Sequence, residues 1–242
     1  MSDEFYIGYE PEMPVALASR IRRLVFGMVA LAIVTPVVLL CAQHRFAPGV
    51  FEFGRQRTFS GRLIEYPYPT LVSANGSKTT IYWLVGPGKH GAADIVRSRD
   101  GQRVRLSGSL IDRDGDIMIE VVPTSLVEVS STSPVEPLQS RGVIIAEGEI
   151  VDSKCHLGVM KPGEGPTHRD CAVRCLLGRI PPMFVPHDRP DLGRIALVSD
   201  AAQPFANPEG FAGRRVSIRG EILQRGGQKF LAVARRDIRL LD

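Results

Sequence analysis

Three cysteines and two histidines crowd into one short stretch of this 242-residue chain: Cys155, His156, His168, Cys171 and Cys175. Thiolates and imidazoles are the ligands of soft and borderline metals, and three sulfurs with one imidazole complete a tetrahedral zinc site. Met160 and Met183 add thioethers of the kind that favour copper(I). The candidate metal ligands are therefore Cys155, His156, His168, Cys171 and Cys175, with Met160 as an optional thioether; the candidate ions are zinc, copper and iron. The same thiols permit a disulfide from Cys155 to Cys171 or to Cys175, which would clamp the loop and leave one thiol over for exchange or redox chemistry. A Cys171–Cys175 bridge inside one helical turn is geometrically poor. The C-x15-C-x3-C spacing matches no paired zinc-ribbon pattern, so metal, disulfide and reactive thiol all stay open.

Local sequence says how these side chains would be held. Pro162, Gly163, Gly165 and Pro166 describe a turning excursion that brings Cys155 back against the Cys171–Cys175 segment. A short helix over 169–177 places Cys171 and Cys175 one turn apart on one face, with His168 just before them. Thr167 or Asp170 is the expected cap, and Pro181-Pro182 would stop any continuation.

The stretch interrupts a repeat. Residues 101–121 (GQRVRLSGSLIDRDGDIMIEV) and 213–233 (GRRVSIRGEILQRGGQKFLAV) agree at seven positions without a gap, Gly108/Gly220 and Gly115/Gly227 among them. Those pairs lie 112 residues apart, whereas the matching openings of the two halves, around Gly61 and Gly148, lie 87 apart. The second half therefore carries an insertion of about 25 residues, and the Cys/His stretch occupies it. Apolar alternation and turn residues predict strands in the first half over 57–66, 79–85, 102–112, 116–122 and 125–129. In the second half they fall over 143–153, 195–199, 214–224, 229–234 and 238–241. Five short strands with a glycine inside a long bent strand, twice over, resemble tandem OB-fold domains. That resemblance implies a mostly β protein: two small OB-like five-stranded barrels preceded by one transmembrane helix.

The helix is read from 24–42, LVFGMVALAIVTPVVLLCA, nineteen residues that would span about 29 Å. Arg20, Arg22 and Arg23 precede it, and Gln43-His44-Arg45 follow with one charge, so the positive-inside bias puts the N-terminus in the cytoplasm. The expectation is a single-pass inner-membrane protein with its main domains in the periplasm or an equivalent extracytoplasmic space. The leader alternative has a long mixed-charge segment before its apolar run and a bulky Leu40 ahead of Cys41, both poor for cleavage. The expected organisation is an arm at 1–23, the span at 24–42, a first β-domain at 51–129, a linker at 130–142, and a second β-domain at 143–242. The Cys/His insertion takes up about 153–185 of the last.

No nucleophile elbow, phosphate loop or dinucleotide fingerprint is present, and no catalytic residue is assigned. Gly86-Pro-Gly-Lys-His90 lacks phosphate-loop spacing and reads as a plain loop. A net charge of +4 with scattered basic residues, outside the cytoplasm, argues against nucleic acid as a partner. The layout of one anchor and an exported OB-like domain is similar to the periplasmic haem chaperones of cytochrome c maturation. Those carry a late haem-linking histidine, however, and this chain has none after His187. The leading expectation is a non-catalytic, membrane-anchored accessory or assembly subunit of a membrane-associated complex, respiratory by analogy of layout. Its Cys/His loop would contact a partner or cofactor. The alternatives are a metal or haem handling protein that binds metal through that loop, and a thiol-redox protein.

Overall fold

A run of apolar residues forms one long helix, α1 (Val15–Gln43), with Pro36 inside it and a mean hydropathy of 2.7 over its apolar window. It is long and apolar enough to cross a membrane, and it begins earlier than the apolar run alone suggests, so all three arginines sit in its first turns. The structure, a computed structural model, describes residues 13–43, 49–76, 78–130 and 134–241. Most of the expected N-terminal arm, His44-Arg45, and residues 131–133 of the expected linker lie outside these.

From residue 47 onward the chain forms a single unit. A two-residue strand β1 (Val50–Phe51) leads into β2 (Arg57–Ile64), β3 (Thr70–Asn75) and β4 (Lys78–Val85). A one-turn helix α2 (Ala93–Val96) precedes the hairpin β5 (Arg103–Arg113) and β6 (Asp116–Val121), and β7 (Val127–Ser130) pairs with β5. The second half runs β8 (Gln139–Asp152), α3 (Arg169–Leu177), β9 (Pro182–Pro186), β10 (Ile195–Ser199), β11 (Arg215–Arg225), β12 (Gln228–Val233) and β13 (Ile238–Leu240).

Each half closes into a five-stranded barrel with the same order. In the first, β5-β2-β3-β4-β6 returns to β5, and the β4–β6 contact is parallel. In the second, β11-β8-β9-β10-β12 returns to β11, and the β10–β12 contact is parallel. The repeated glycines explain how both close. A Cβ on Gly108 would sit 2.4 Å from the Glu120 carbonyl oxygen, and one on Gly220 would sit 2.8 Å from that of Ala232. Gly61 and Gly148 make the matching approach to Val72 and Val185. At all four points the strands press too close for any side chain, which is where a small barrel must bend.

Alternation along β4 divides its side chains between two cores. Leu84 and Tyr82 point into the first barrel with Leu63, Leu71, Val104 and Ile119. Trp83 and Val85 point out of it, into a core between the barrels with Met118, Val151, Cys155, Cys175, Met183 and Phe230. The second barrel packs on Ile150, Phe184, Leu197, Ile218 and Leu231. Because a full apolar core lies between them, the barrels are fused rather than strung on a linker. The expected linker is correspondingly short: β8 begins at Gln139, and Gln139 and Ser140 already pair with Gln224 and Leu223.

Two strands escaped the periodicity. Thr70–Asn75 has little alternation, and Pro182–Pro186 carries a proline at each end that reads as a stop. In β9 those prolines lie at the strand's two ends, where a missing N–H costs least. The insertion is therefore shorter than expected. It is the connection from first to second strand of the barrel, residues 153–181, and its counterpart in the first barrel is residues 65–69.

Candidate metal centre

Three thiols meet at the point where that connection folds back on the barrel. The end of β8 supplies Asp152, and the turn that follows, Cys155–Val159, supplies Cys155. Asp152 Oδ1 accepts the Cys155 backbone N–H at 2.8 Å, which fixes the turn and aims the thiol inward. Helix α3 supplies Cys171 and Cys175 from successive turns, as its expected bounds of 169–177 require. Its Ala172 and Leu176 pack on the other side against Ala212. Neither Thr167 nor Asp170 caps it; a 3-10 turn (Pro166–His168) leads straight into it instead. Asp170 still sits in the first turn, where a negative charge suits the helix dipole.

Cys155 Sγ lies 3.8 Å from Cys171 Sγ and 3.8 Å from Cys175 Sγ. All three are free thiols; Cys155 and Cys175 are buried and Cys171 is partly exposed. His168 is buried beside them, with one ring nitrogen, Cys155 Sγ and Cys171 Sγ all within 4.8 Å of one another. Its Nε2 meets Asp152 Oδ2 at 2.9 Å. Asp152, Cys155 and Cys175 form a second close group. The fully buried carboxylate thus touches both the turn and the imidazole.

A lysine from the other barrel completes the cluster. Lys89, in the loop after β4, donates from Nζ to Cys171 Sγ at 2.8 Å and lies 3.7 Å from Cys175 Sγ. Two devices fix that loop. The Gly91 N–H donates to the Gly178 carbonyl at 2.8 Å, and a Cβ on Gly178 would fall 1.7 Å from the Lys89 carbonyl oxygen. The buried Lys154 reaches the other way, donating from Nζ to the carbonyls of Gly86 (2.8 Å) and Gly88 (2.6 Å) and pairing with Glu120. The barrels therefore exchange lysines across their interface. The electrostatics follow. The Cys155 S–H donating to Cys175 pushes the Cys175 thiol below its ordinary range, with Lys89 adding to the effect. The same bond, together with burial, pushes Cys155 up. The Cys171 partner raises Lys89 and keeps it an ammonium.

The structure thus brings together four of the five residues expected as ligands and sends the fifth elsewhere. His156 is buried, but its Nε2 accepts from Arg194 Nε at 3.2 Å, its Nδ1 lies 3.1 Å from Glu164, and its carbonyl accepts from Arg113. A cation at His156 would have to displace two arginines, so this histidine joins the insertion to the β5–β6 turn instead. Arg194 also pairs there with Asp114 and Asp116. Met160 is 46% exposed on the excursion's surface. Sequence reasoning missed Asp152, which is one residue in a plain strand end, and Lys89, which had been read as an ordinary loop. Only a tertiary contact between residues more than 80 apart gives Lys89 a role.

No family model matches the chain, and no curated protein does. Among solved structures, that of the tetrameric p202 HIN2 is similar over 81% of this chain and 97% of that one, at 11% identity and a TM-score of 0.23. The HIN domain is a nucleic-acid-binding fold, and the expectation drawn from charge and placement that nucleic acid is an unlikely partner is withdrawn. That expectation rested on scattered basic residues and an assumed compartment, neither of which describes a surface. At such a TM-score the likeness carries no argument for nucleic acid either.

Proposed function

We propose that this chain is a membrane-anchored metal-handling protein. Cys155, Cys171 and Cys175, with His168 as the fourth ligand, hold a thiophilic ion such as zinc or copper(I). The sulfur spacing carries the reading. An ion with metal–sulfur bonds of about 2.3 Å in tetrahedral array separates its sulfurs by about 3.8 Å. Cys155–Cys171 and Cys155–Cys175 have that value, while Cys171 and Cys175 stand in separate close groups that share Cys155, so binding draws these two together. The surroundings support it. Asp152 on His168 repeats the carboxylate–imidazole pairing that orients metal-bound histidines, and the Lys89 ammonium offsets the charge of three thiolates. The accessory-subunit role becomes, on this reading, presentation of a metal at the membrane surface. The arginines at the start of α1 favour an N-terminus in the cytoplasm and the barrels outside it.

Metal analysis of the reduced full-length chain in detergent, purified without a metal-affinity tag, tests the proposal. One zinc or copper per chain, lost in Cys171→Ala with the far-ultraviolet circular dichroism unchanged, is the expected result. A substoichiometric content that ignores the substitution refutes it. Reporter fusions after Val50 should be active only outside the cytoplasm, and a cytoplasmic readout reverses the orientation.

A further inference from the structure

The three thiols differ in ways that a metal alone does not require. Cys155 is the common neighbour, 3.8 Å from each of the other two sulfurs, and it is buried. Cys171 has partial access to solvent and an ammonium hydrogen-bonded to its sulfur at 2.8 Å. An ammonium hydrogen-bonded to a sulfur faces whatever negative charge develops there during attack on an oxidant, and access decides which of the three sulfurs an oxidant meets first. The fold also goes to some length to place that ammonium: the loop carrying Lys89 is pinned by the Gly91–Gly178 contact and by the buried Lys154.

We propose that the metal-free site is a peroxide-reactive dithiol in which Cys171 is the attacking sulfur and Cys155 resolves it. The Cys171 sulfur attacks one oxygen of hydrogen peroxide or an organic hydroperoxide and gives up its proton. The O–O bond breaks, sulfur is oxidised to the sulfenic acid, and the leaving hydroxide takes a proton to become water (or the alkoxide to become alcohol). Lys89, hydrogen-bonded to the sulfur under attack at 2.8 Å, lies where it can relay that proton to the leaving oxygen. The Cys155 thiol then attacks the Cys171 sulfenic sulfur. The S–O bond breaks, a second water leaves, and a disulfide forms; the net change is two thiols and one peroxide to one disulfide and two waters. Closing the sulfurs from 3.8 Å to about 2 Å joins the turn after β8 to α3. The alternative partner for Cys171, Cys175, lies one turn along the same helix, where a bridge fits poorly. The disulfide removes two of the proposed metal ligands at once, so oxidation and metal occupancy exclude each other. The thiol chemistry itself does not depend on the metal reading.

The test uses the full-length chain in detergent, reduced and stripped of metal with a chelator, then treated with equimolar hydrogen peroxide. Peptide mapping should find a Cys155–Cys171 disulfide. Cys155→Ala should instead accumulate a sulfenic acid on Cys171, trapped by dimedone. Lys89→Met, with circular dichroism as the check on folding, should slow thiol loss at least about tenfold. Should Cys155→Ala fail to fold, mapping of the unmutated chain and the Lys89→Met rate still decide. An unreactive Cys171, a bridge between Cys171 and Cys175, or a Lys89→Met rate equal to wild type overturns the proposal. Zinc binding to the reduced chain is measured in parallel. Zinc bound but no disulfide formed defeats this proposal alone, whereas a disulfide without zinc binding defeats only the metal reading.

Discussion

The two barrels close in the same strand order and pinch at the same glycines, yet they join their first and second strands differently. The first uses residues 65–69, and the second uses 153–181. The short connection leaves its barrel without a thiol. The long one folds a turn, an excursion and a helix back over its own barrel and gathers three sulfurs, an imidazole and a carboxylate. The frame is thus held constant while chemistry is added at one loop, which a rigid barrel tolerates because its closure depends on the strands and not on the connection. The undecorated barrel is not a bystander. It lends Lys89 to the thiols and accepts Lys154 in return, so the difference between the halves is also what fastens them together.

The largest expected effect tests that fastening. Lys154→Met leaves Glu120 unpaired at the interface and two loop carbonyls without their donor. Removing one partner of a buried ion pair costs about 3–5 kcal/mol. The midpoint of urea unfolding should fall accordingly, in a single transition. Two separate transitions, or a loss below about 1 kcal/mol, would mean that the barrels fold independently and that the lysine exchange is incidental.

A smaller effect compares matching positions at the ends of the two first strands. Asp152 and Glu65 correspond in the repeat; Asp152 touches His168, whereas Glu65 accepts the Arg99 backbone N–H. Asp152→Asn preserves an oxygen for the Cys155 N–H and removes the carboxylate from the imidazole. Competition against a chromophoric chelator should show metal affinity about 10- to 100-fold lower, while Glu65→Gln leaves it unchanged. Equal losses in the two variants would show that the effect is general destabilisation.

Which of these features were legible in the sequence follows from the range of the contacts involved. The repeat, its hairpins and the α3 bounds depend on neighbours a few residues apart, and the pattern of Gly108/Gly220 and of RDCAVRCLL carried them. The strand β3 was lost because TLVSAN does not alternate, and β9 because the prolines at its ends read as stops. The cysteine cluster was visible as a composition but not as a geometry. His156 looks the same as His168 in the sequence, and only Arg113 and Arg194, one from each barrel, decide that it is a strut and not a ligand. Lys89 is the clearest case. Nothing within ten residues of it hints at sulfur, and its role exists only once Gly178 and Lys154 hold its loop.

The excursion at the tip of the long connection should respond weakly to pH, and in two opposite senses. Glu149, buried beside it, accepts the Gly165 N–H at 2.6 Å, and burial raises its carboxyl above the ordinary range. The folded state therefore binds this proton more readily than the unfolded chain. Local stability rises as pH falls from the raised value toward the ordinary carboxylate value of about 4.3. Glu164, on the excursion itself, is held below that range by the His156 contact, with the Arg113 charge adding to it. Its contribution is present above the ordinary value and is lost as pH falls through the depressed one. Together they place the greatest protection of residues 160–168 near pH 4, with a shallow decline on either side. The Glu164 limb is worth less than about 1 kcal/mol, since Glu164 is 45% exposed and screened. Hydrogen exchange across pH 3 to 7 reads both limbs. Glu149→Gln should flatten the limb above the maximum and Glu164→Gln the one below it. The excursion is then tuned by the two carboxylates separately, and a profile that either substitution leaves intact would assign the pH response to the barrels instead.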